Sequence, residues 1–186
     1  METNQQILQR KLKPPLIQKS VHRERLLNEV SRSLETEKGF YRKLTLLAAP
    51  AGYGKTYLMV NLYKKVEKQG ENCCWLTFSK EDDSVSRLLL YLAVTLSSHP
   101  EIELNPEQYQ IEQEGFSTEK NKALCKNILT DFLNKLEQLE APFYIFFDEL
   151  EHIESPEVCE LLEYFISHLP PTVHIIASSR IDLPGR

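Results

Sequence analysis

The sequence predicts an α/β fold, a doubly wound parallel sheet, and three observations carry that prediction. Strand-like apolar runs alternate with helical patterns along the chain. The run Leu44-Thr45-Leu46-Leu47-Ala48 leads straight into a glycine-containing loop and then a helical pattern. The run Phe143-Tyr144-Ile145-Phe146-Phe147 is apolar without interruption, which suits a central parallel strand covered on both faces.

Taken in order, residues 1–20 are polar, contain Pro14-Pro15, and read as an extended lead-in. Leu26, Leu27, Val30 and Leu34 share one face and predict a helix over 24–35, before Gly39 breaks the pattern. The first strand follows at 43–49. A helix over 56–69 carries Leu58, Leu62 and Val66 inward and stops at Gly70. The second strand, 72–78, holds the single tryptophan, Trp75, and an amphipathic helix covers 85–96. Residues 99–118 break the rhythm: five glutamates, Pro100, Pro106 and Gly115, with no Lys or Arg. They read as a solvated surface insertion of a length unusual inside a compact domain. A helix near 119–139 has Leu124, Ile128, Phe132 and Leu136 at fourfold spacing. After the strand at 143–148, Ser155 is the expected N-cap and Pro156 the first residue of a helix to 169. The last strand, 173–179, ends at Ser178-Ser179-Arg180. The domain reading is a lead-in and helix at 1–38 and a core at 39–186.

The loop after the first strand is Ala49-Pro50-Ala51-Gly52-Tyr53-Gly54-Lys55-Thr56, a phosphate-binding P-loop with Ala in place of its first Gly. Gly52 and Gly54 permit backbone angles closed to other residues, so successive N–H groups can turn inward on a phosphate. Lys55 supplies a point charge to the β- and γ-phosphates, and the Thr56 hydroxyl is a ligand for Mg²⁺. The following helix aims its positive dipole end at the same anion. Tyr57, in its first turn, completes the candidate nucleotide-binding set. The competing reading is an accidental glycine-rich turn.

Asp148-Glu149 closes the apolar strand, and ligands of open α/β sheets gather at the carboxyl ends of strands. An ionised Asp148 there can hold the Mg²⁺ shared with Thr56, while Glu149 orients or deprotonates a water for attack on the γ-phosphate. Taken alone, two adjacent carboxylates could merely cap a turn. Paired with a P-loop roughly ninety residues upstream, they read as a Walker B site. Arg180 ends the next strand and is placed to read the γ-phosphate, its fork matching phosphate oxygens. An ordinary surface arginine is the alternative. Ser178 and Ser179 are placed for hydroxyl contacts.

Composition bounds the rest. The chain has 186 residues, 41% hydrophobic and 26% charged, enough for one domain with a real core. A formal charge of −5 argues against this chain gripping nucleic acid by itself. No apolar run approaches a membrane span and the N-terminus lacks a signal-peptide stretch, so a cytoplasmic location is expected. Cys73, Cys74, Cys125 and Cys159 lack metal-ligand spacing, and adjacent Cys73 and Cys74 in a strand point to opposite faces. Four buried thiols are expected, and His99, His168 and His174 read as ordinary surface or strand residues.

Taken together, Lys11-Leu12-Lys13-Pro14-Pro15, Arg23-Glu24-Arg25-Leu26-Leu27, Pro50-Ala51-Gly52-Tyr53-Gly54-Lys55-Thr56, Trp75-Leu76-Thr77-Phe78 and Ser178-Ser179-Arg180 resemble the MalT family. These are large LuxR-type bacterial transcriptional activators, a branch of the signal-transduction ATPases with numerous domains (STAND). The resemblance covers residues 11–186 and only the amino-terminal portion of such a regulator. It implies a P-loop NTPase of the ASCE type that binds ATP or ADP with Mg²⁺ as a slow switch. ADP would hold a resting monomer, and inducer with ATP would promote oligomerisation. It also implies that Arg23 lies near the adenine or phosphates; on its own residues Arg23 is a solvated helix position. Two departures stand out. The family usually has two aspartates where this chain has Asp148-Glu149, and it often places a His where this chain has Glu151, followed by His152.

Family members continue into a further strand, a winged helix, helical repeats and a helix-turn-helix, whereas this chain ends at Leu183-Pro184-Gly185-Arg186. The expectation is therefore a core lacking its last strand and any DNA-binding element. If its strands run 2-3-4-1, the P-loop strand is a bare edge open to self-association. The leading function is an ATP-binding switch with slow turnover. A small P-loop kinase is the rival, disfavoured because the acidic excursion at 99–118 replaces the Arg-rich lid such enzymes carry. A third reading is a non-hydrolysing fragment acting only by association.

Overall fold

A computed structural model of the chain describes residues 7–17, 25–26, 30, 35–36, 39–40, 42–109 and 119–180. A small antiparallel pair, β1 (Glu35–Thr36) and β2 (Gly39–Phe40), precedes the main sheet. That sheet has four parallel strands: β3 (Leu44–Ala48), β4 (Asn72–Thr77), β5 (Phe143–Asp148) and β6 (Val173–Ser179), in the order β3-β6-β5-β4. Four helices connect them: α1 (Lys55–Lys68), α2 (Val85–Leu96), α3 (Glu119–Glu137) and α4 (Pro156–Ser167). The architecture is the doubly wound α/β sheet expected. Its order is 2-3-4-1 counted from β3, with β3 at an edge among the described residues.

Alternation along β5 divides the core. Phe143, Ile145 and Phe147 face α2, α3 and α4, in a cluster with Leu76, Leu89, Phe132, Leu161 and Phe165. Tyr144 and Phe146 face α1, in a second cluster with Met59, Leu62, Trp75 and Ile176. All six β5 residues are buried. That explains the unbroken apolar run: a central parallel strand has no solvent face on which polar residues could alternate. The parity rule also sorts Cys73 and Cys74, one to each cluster. Cys74 and Cys125 are buried, but Cys73 and Cys159 are only half-buried, so the expectation of four buried thiols holds for two.

Several expectations need correction. Most of the helix predicted over 24–35 lies outside the described residues; residues 25–26 and 30 are helical, but Glu35 is in β1. On α3, Leu124 is 48% exposed, and the buried stripe is Cys125, Leu129, Phe132 and Leu136. A strict fourfold spacing drifts by about 40° per step around a helix of 3.6 residues per turn, so only a mixed 4-3-4 spacing stays on one face. The excursion from residue 99 is not simply solvated. Ile102 is 2% exposed in the core, and the Tyr109 ring packs edge-on against Phe132 while its hydroxyl donates to Asp131. Residues 110–118 lie outside the described residues. Ser155 is the N-cap of α4 and Pro156 its first residue, as expected, but the Ser155 side chain makes no capping hydrogen bond; its N–H donates to both carboxylate oxygens of Asp83 at 3.1 Å.

The described part of the extended lead-in is a strap packed on the core. Ile7 and Leu12 pack against one core cluster and Ile17 against the other, so residues 7–17 cross from face to face. A 3₁₀ turn, Gln9–Leu12, places the Lys11 ammonium 2.5 Å from Asp82 and 2.6 Å from the Ser79 hydroxyl, and 5.3 Å from the centre of the Tyr91 ring. Lys11 and Asp82 are both buried.

Of the two places expected for it, surface or strand, His174 takes the strand: it is buried in β6. A ring nitrogen lies 2.5 Å from the Arg42 carbonyl, which can only accept, so Nδ1 carries the proton and Nε2, 3.0 Å away, accepts from Thr45. Burial pushes the imidazole from 6.5 down to about 4. The unfolded chain therefore takes up a proton near pH 6.5 while the folded chain waits until about 4. The stability contributed is whole above the first value and drains away between the two, at up to about 1.4 kcal/mol per pH unit. Denaturant titrations at pH 7 and pH 5 should show a steeper loss for the wild type than for His174→Gln. Equal losses would remove this account.

Candidate functional site

The loop between β3 and α1 has the backbone that its glycines predict: Gly52 has φ +83° and Gly54 φ +78°. At Gly52 an added Cβ would meet nothing within 4 Å, so the need for glycine there is conformational. Gly54 is the N-cap of α1 and accepts the Leu58 N–H at 3.0 Å. Lys55 and Thr56 thereby fall in the first turn, at the positive end of the helix dipole. The Lys55 ammonium closes back on the loop, donating to the carbonyls of Ala49 (2.5 Å) and Pro50 (3.2 Å). Tyr53, at the loop tip, is 62% exposed. The Tyr57 hydroxyl is buried without a hydrogen-bond partner among the described residues. Arg23 lies outside the described residues.

Strand parity brings the second half to this loop. Asp148 continues the Tyr144–Phe146 face, which looks toward α1. The Thr56 hydroxyl accordingly lies 3.1 Å from Asp148 Oδ1. On β6, Ser178 follows Ile176 on the same face, and its hydroxyl donates to Asp148 Oδ1 at 2.5 Å while accepting the Glu149 N–H at 3.1 Å. Burial pushes the Asp148 carboxyl above its ordinary range, and hydrogen bonds from Ser178 and Thr56 oppose that shift. Glu149 sits at φ +59°, the one non-glycine residue with positive φ among those described. Such strain costs about 1–3 kcal/mol and persists where the surroundings over-determine it, commonly at functional sites; here the Ser178 hydrogen bond helps to fix it.

Arg180 closes the constellation. Its Nε donates to Glu151 Oε1 at 2.7 Å, its backbone N–H to Glu151 Oε2 at 3.2 Å, and Nη2 stands 3.9 Å from Glu149 Oε1. His152 Nε2 is 3.7 Å from the other Glu149 oxygen. The expected Lys55, Thr56, Asp148, Glu149 and Arg180 thus share one rim of the sheet. Sequence reasoning noted Glu151 only as a departure and did not foresee its grip on Arg180. The signal available was its place three residues beyond Asp148, in the turn that faces the end of β6.

A model of the family described as "Nephrocystin 3, N-terminal" matches residues 23–180. The chain belongs to this nephrocystin 3 N-terminal family. The match begins at Arg23 and ends at Arg180, and so spans the whole constellation just described. Among curated proteins, the HTH-type transcriptional regulators MalT of Yersinia pestis and of Yersinia enterocolitica are each 26% identical over 168 residues. Each alignment covers 90% of this chain and 17% of the relative, so the chain spans about a sixth of their length. The resemblance to MalT-type regulators read from the motifs is therefore borne out. Among solved structures, C. elegans PCH-2 is similar with a TM-score of 0.38 and 16% identity, over 87% of this chain and 36% of that one. Among the described residues, no helix is long and apolar enough to cross a membrane, and no cluster of three or more His, Cys, Asp or Glu residues could hold a metal by itself.

Proposed function

We propose that this nephrocystin 3 N-terminal family domain binds ATP and ADP with Mg²⁺ and hydrolyses ATP slowly, as a cytoplasmic switch module of a transcriptional regulator like its MalT relatives. The observation that carries the reading is the meeting of Thr56 and Asp148, 3.1 Å apart, beneath a loop whose two glycines hold positive φ. A hydroxyl and one carboxylate are the hard oxygen donors Mg²⁺ accepts, because that ion keeps several waters and takes its remaining ligands from phosphates. That donor set fits the ion without a protein cage. When bound, Mg²⁺ would supply charge neutralisation between the β- and γ-phosphate oxygens.

The chain's own residues perform the rest. Loop N–H groups of Gly52, Gly54 and Lys55 converge on a triphosphate tail, and the α1 dipole favours the same charge. Lys55 exchanges the Ala49 and Pro50 carbonyls for phosphate oxygens. Ser178 fixes the orientation of the Asp148 carboxylate and pins the Glu149 backbone, so the Glu149 carboxylate is presented to a water. Glu149 takes the proton from that water as it attacks, and Arg180 places its guanidinium where charge develops on the γ-phosphate.

Titration calorimetry with Mg-ATP and Mg-ADP, with and without excess chelator, tests the reading. Saturable, magnesium-dependent binding is expected; a folded sample that takes up neither nucleotide at millimolar concentration would overturn it. Glu149→Gln should leave ATP affinity within about twofold and cut phosphate release on the order of a hundredfold, the usual worth of a general base. Unchanged turnover in that variant would remove Glu149 from the role. Arg180→Ala should lower the preference for ATP over ADP.

A further inference from the structure

We propose that Glu151 is a positioning residue that holds Arg180 in register with the γ-phosphate site; this rests on the reading of Arg180 as the residue that distinguishes ATP from ADP. The geometry is specific. One Glu151 oxygen takes the Arg180 side-chain Nε–H and the other takes the Arg180 backbone N–H. A carboxylate that binds both the main chain and the base of the guanidinium fixes the side chain at two points. Nη2 is then directed toward Glu149. The Nη edge, not the Nε edge, remains the one a phosphate would meet.

Exposure separates anchor from sensor. The Glu151 side chain is 10% exposed and that of Arg180 is 51% exposed. A carboxylate so nearly buried requires a charged partner, and the described structure supplies Arg180. The half-exposed arginine would otherwise sample many rotamers at the end of β6, and ordering it would fall on the nucleotide at each binding event. Glu151 does that ordering in advance. Glu149 and Glu151 also divide the guanidinium between them: the close contact is with Glu151, and the looser one, at 3.9 Å, is with the proposed base. Arg180 can therefore leave Glu149 for a phosphate oxygen without leaving its anchor.

The test is a double-mutant cycle on the full chain, reading Mg-ATP and Mg-ADP affinities by calorimetry and folding by thermal melting. Glu151→Gln keeps the size of the side chain, loses its charge and cannot accept both N–H groups equally. It should lower the ratio of ATP to ADP affinity about fivefold, close to the effect of Arg180→Ala, with ADP affinity unchanged. The two should not multiply in the double variant, because contacting residues couple. Glu151→Asp keeps the charge with a shorter reach and should give an intermediate ratio, which guards against misreading a folding defect. If Arg180→Ala lowers the ratio while Glu151→Gln and Glu151→Asp do not, the positioning role is overturned and the Arg180 reading survives. If the double variant falls by the product of the singles, Glu151 acts independently and the proposal fails. If Arg180→Ala leaves the ratio unchanged, both ideas fall together.

Discussion

Lys55→Ala should weaken Mg-ATP and Mg-ADP binding by roughly a hundredfold or more, since removing one partner of a desolvated charge pair costs about 2–5 kcal/mol. Two losses combine. The phosphates lose their one side-chain cation in the loop. The loop also loses its own brace, because the ammonium ties α1 back to the carbonyls of Ala49 and Pro50. Those carbonyls would then face the phosphates unshielded, and like partial charges would oppose binding further. The melting temperature of the nucleotide-free protein should change little, as these contacts lie within the loop rather than in either core cluster. Calorimetry on folded Lys55→Ala decides the matter: binding within about threefold of wild type would mean the loop does not cradle a phosphate as argued. Asp148→Ala offers a contrast, because it should weaken binding chiefly when magnesium is present.

The grouping of the candidate site's residues was largely legible because they are local in sequence or end a strand. Gly52, Gly54, Lys55 and Thr56 lie within five consecutive residues, and the physical demands of a phosphate nest can be read there directly. Asp148 was legible by a different logic, being the first polar residue after a fully apolar strand. What remained hidden was the pairing of separate turns. Glu151 and Arg180 are 29 residues apart, and no periodicity marks that they meet. Ser178 was visible only as a hydroxyl near the site; its bridging role needs the register that sets β6 beside β5.

In the fold, long amphipathic and wholly apolar segments declared themselves, while polar segments misled. Helix α2 matches its expected span of residues 85–96 because its burial pattern is nearly continuous. Residues 99–118 read as a solvated insertion and residues 1–20 as an extended lead-in because their composition is polar, yet residues 7–17 and 99–109 are each pinned by a few side chains. Ile102, Tyr109 and Lys11 do that work. Composition averages over a segment, but docking depends on single anchors, so averaging erased the signal. His174 lies in a strand, one of the two places expected for it, yet its sequence surroundings gave no hint that a main-chain carbonyl and a threonine hydroxyl meet both ring nitrogens.

The strap at the amino-terminal end yields the largest stability prediction. Asp82 is 1% exposed and accepts from the Lys11 ammonium, the Ser79 N–H and, at 3.5 Å, Arg87. Asp82→Asn preserves shape but takes from the buried Lys11 its one directly bonded carboxylate, leaving only the exposed Glu81 nearby, a loss of about 4 kcal/mol, against a total stability of about 5–15 kcal/mol for an ordinary domain. The chain has one cheaper response, which is to let residues 7–17 peel away so that Lys11 returns to water. The loss is therefore capped by the docking free energy of the strap, and the first sign should be faster amide exchange at Leu8 and Lys11, whose N–H groups are bonded in the docked form. Adding Lys11→Met to Asp82→Asn should recover part of the stability, because an apolar side chain needs no partner at that site. If Asp82→Asn costs less than about 1 kcal/mol by denaturant titration, and exchange at the strap is unaltered, the buried pair is not what holds it. The strap crosses the sheet at β4, which pairs with β5 alone among the described strands. Loosening it should therefore uncover a strand edge, and Asp82→Asn should also associate more readily at high protein concentration.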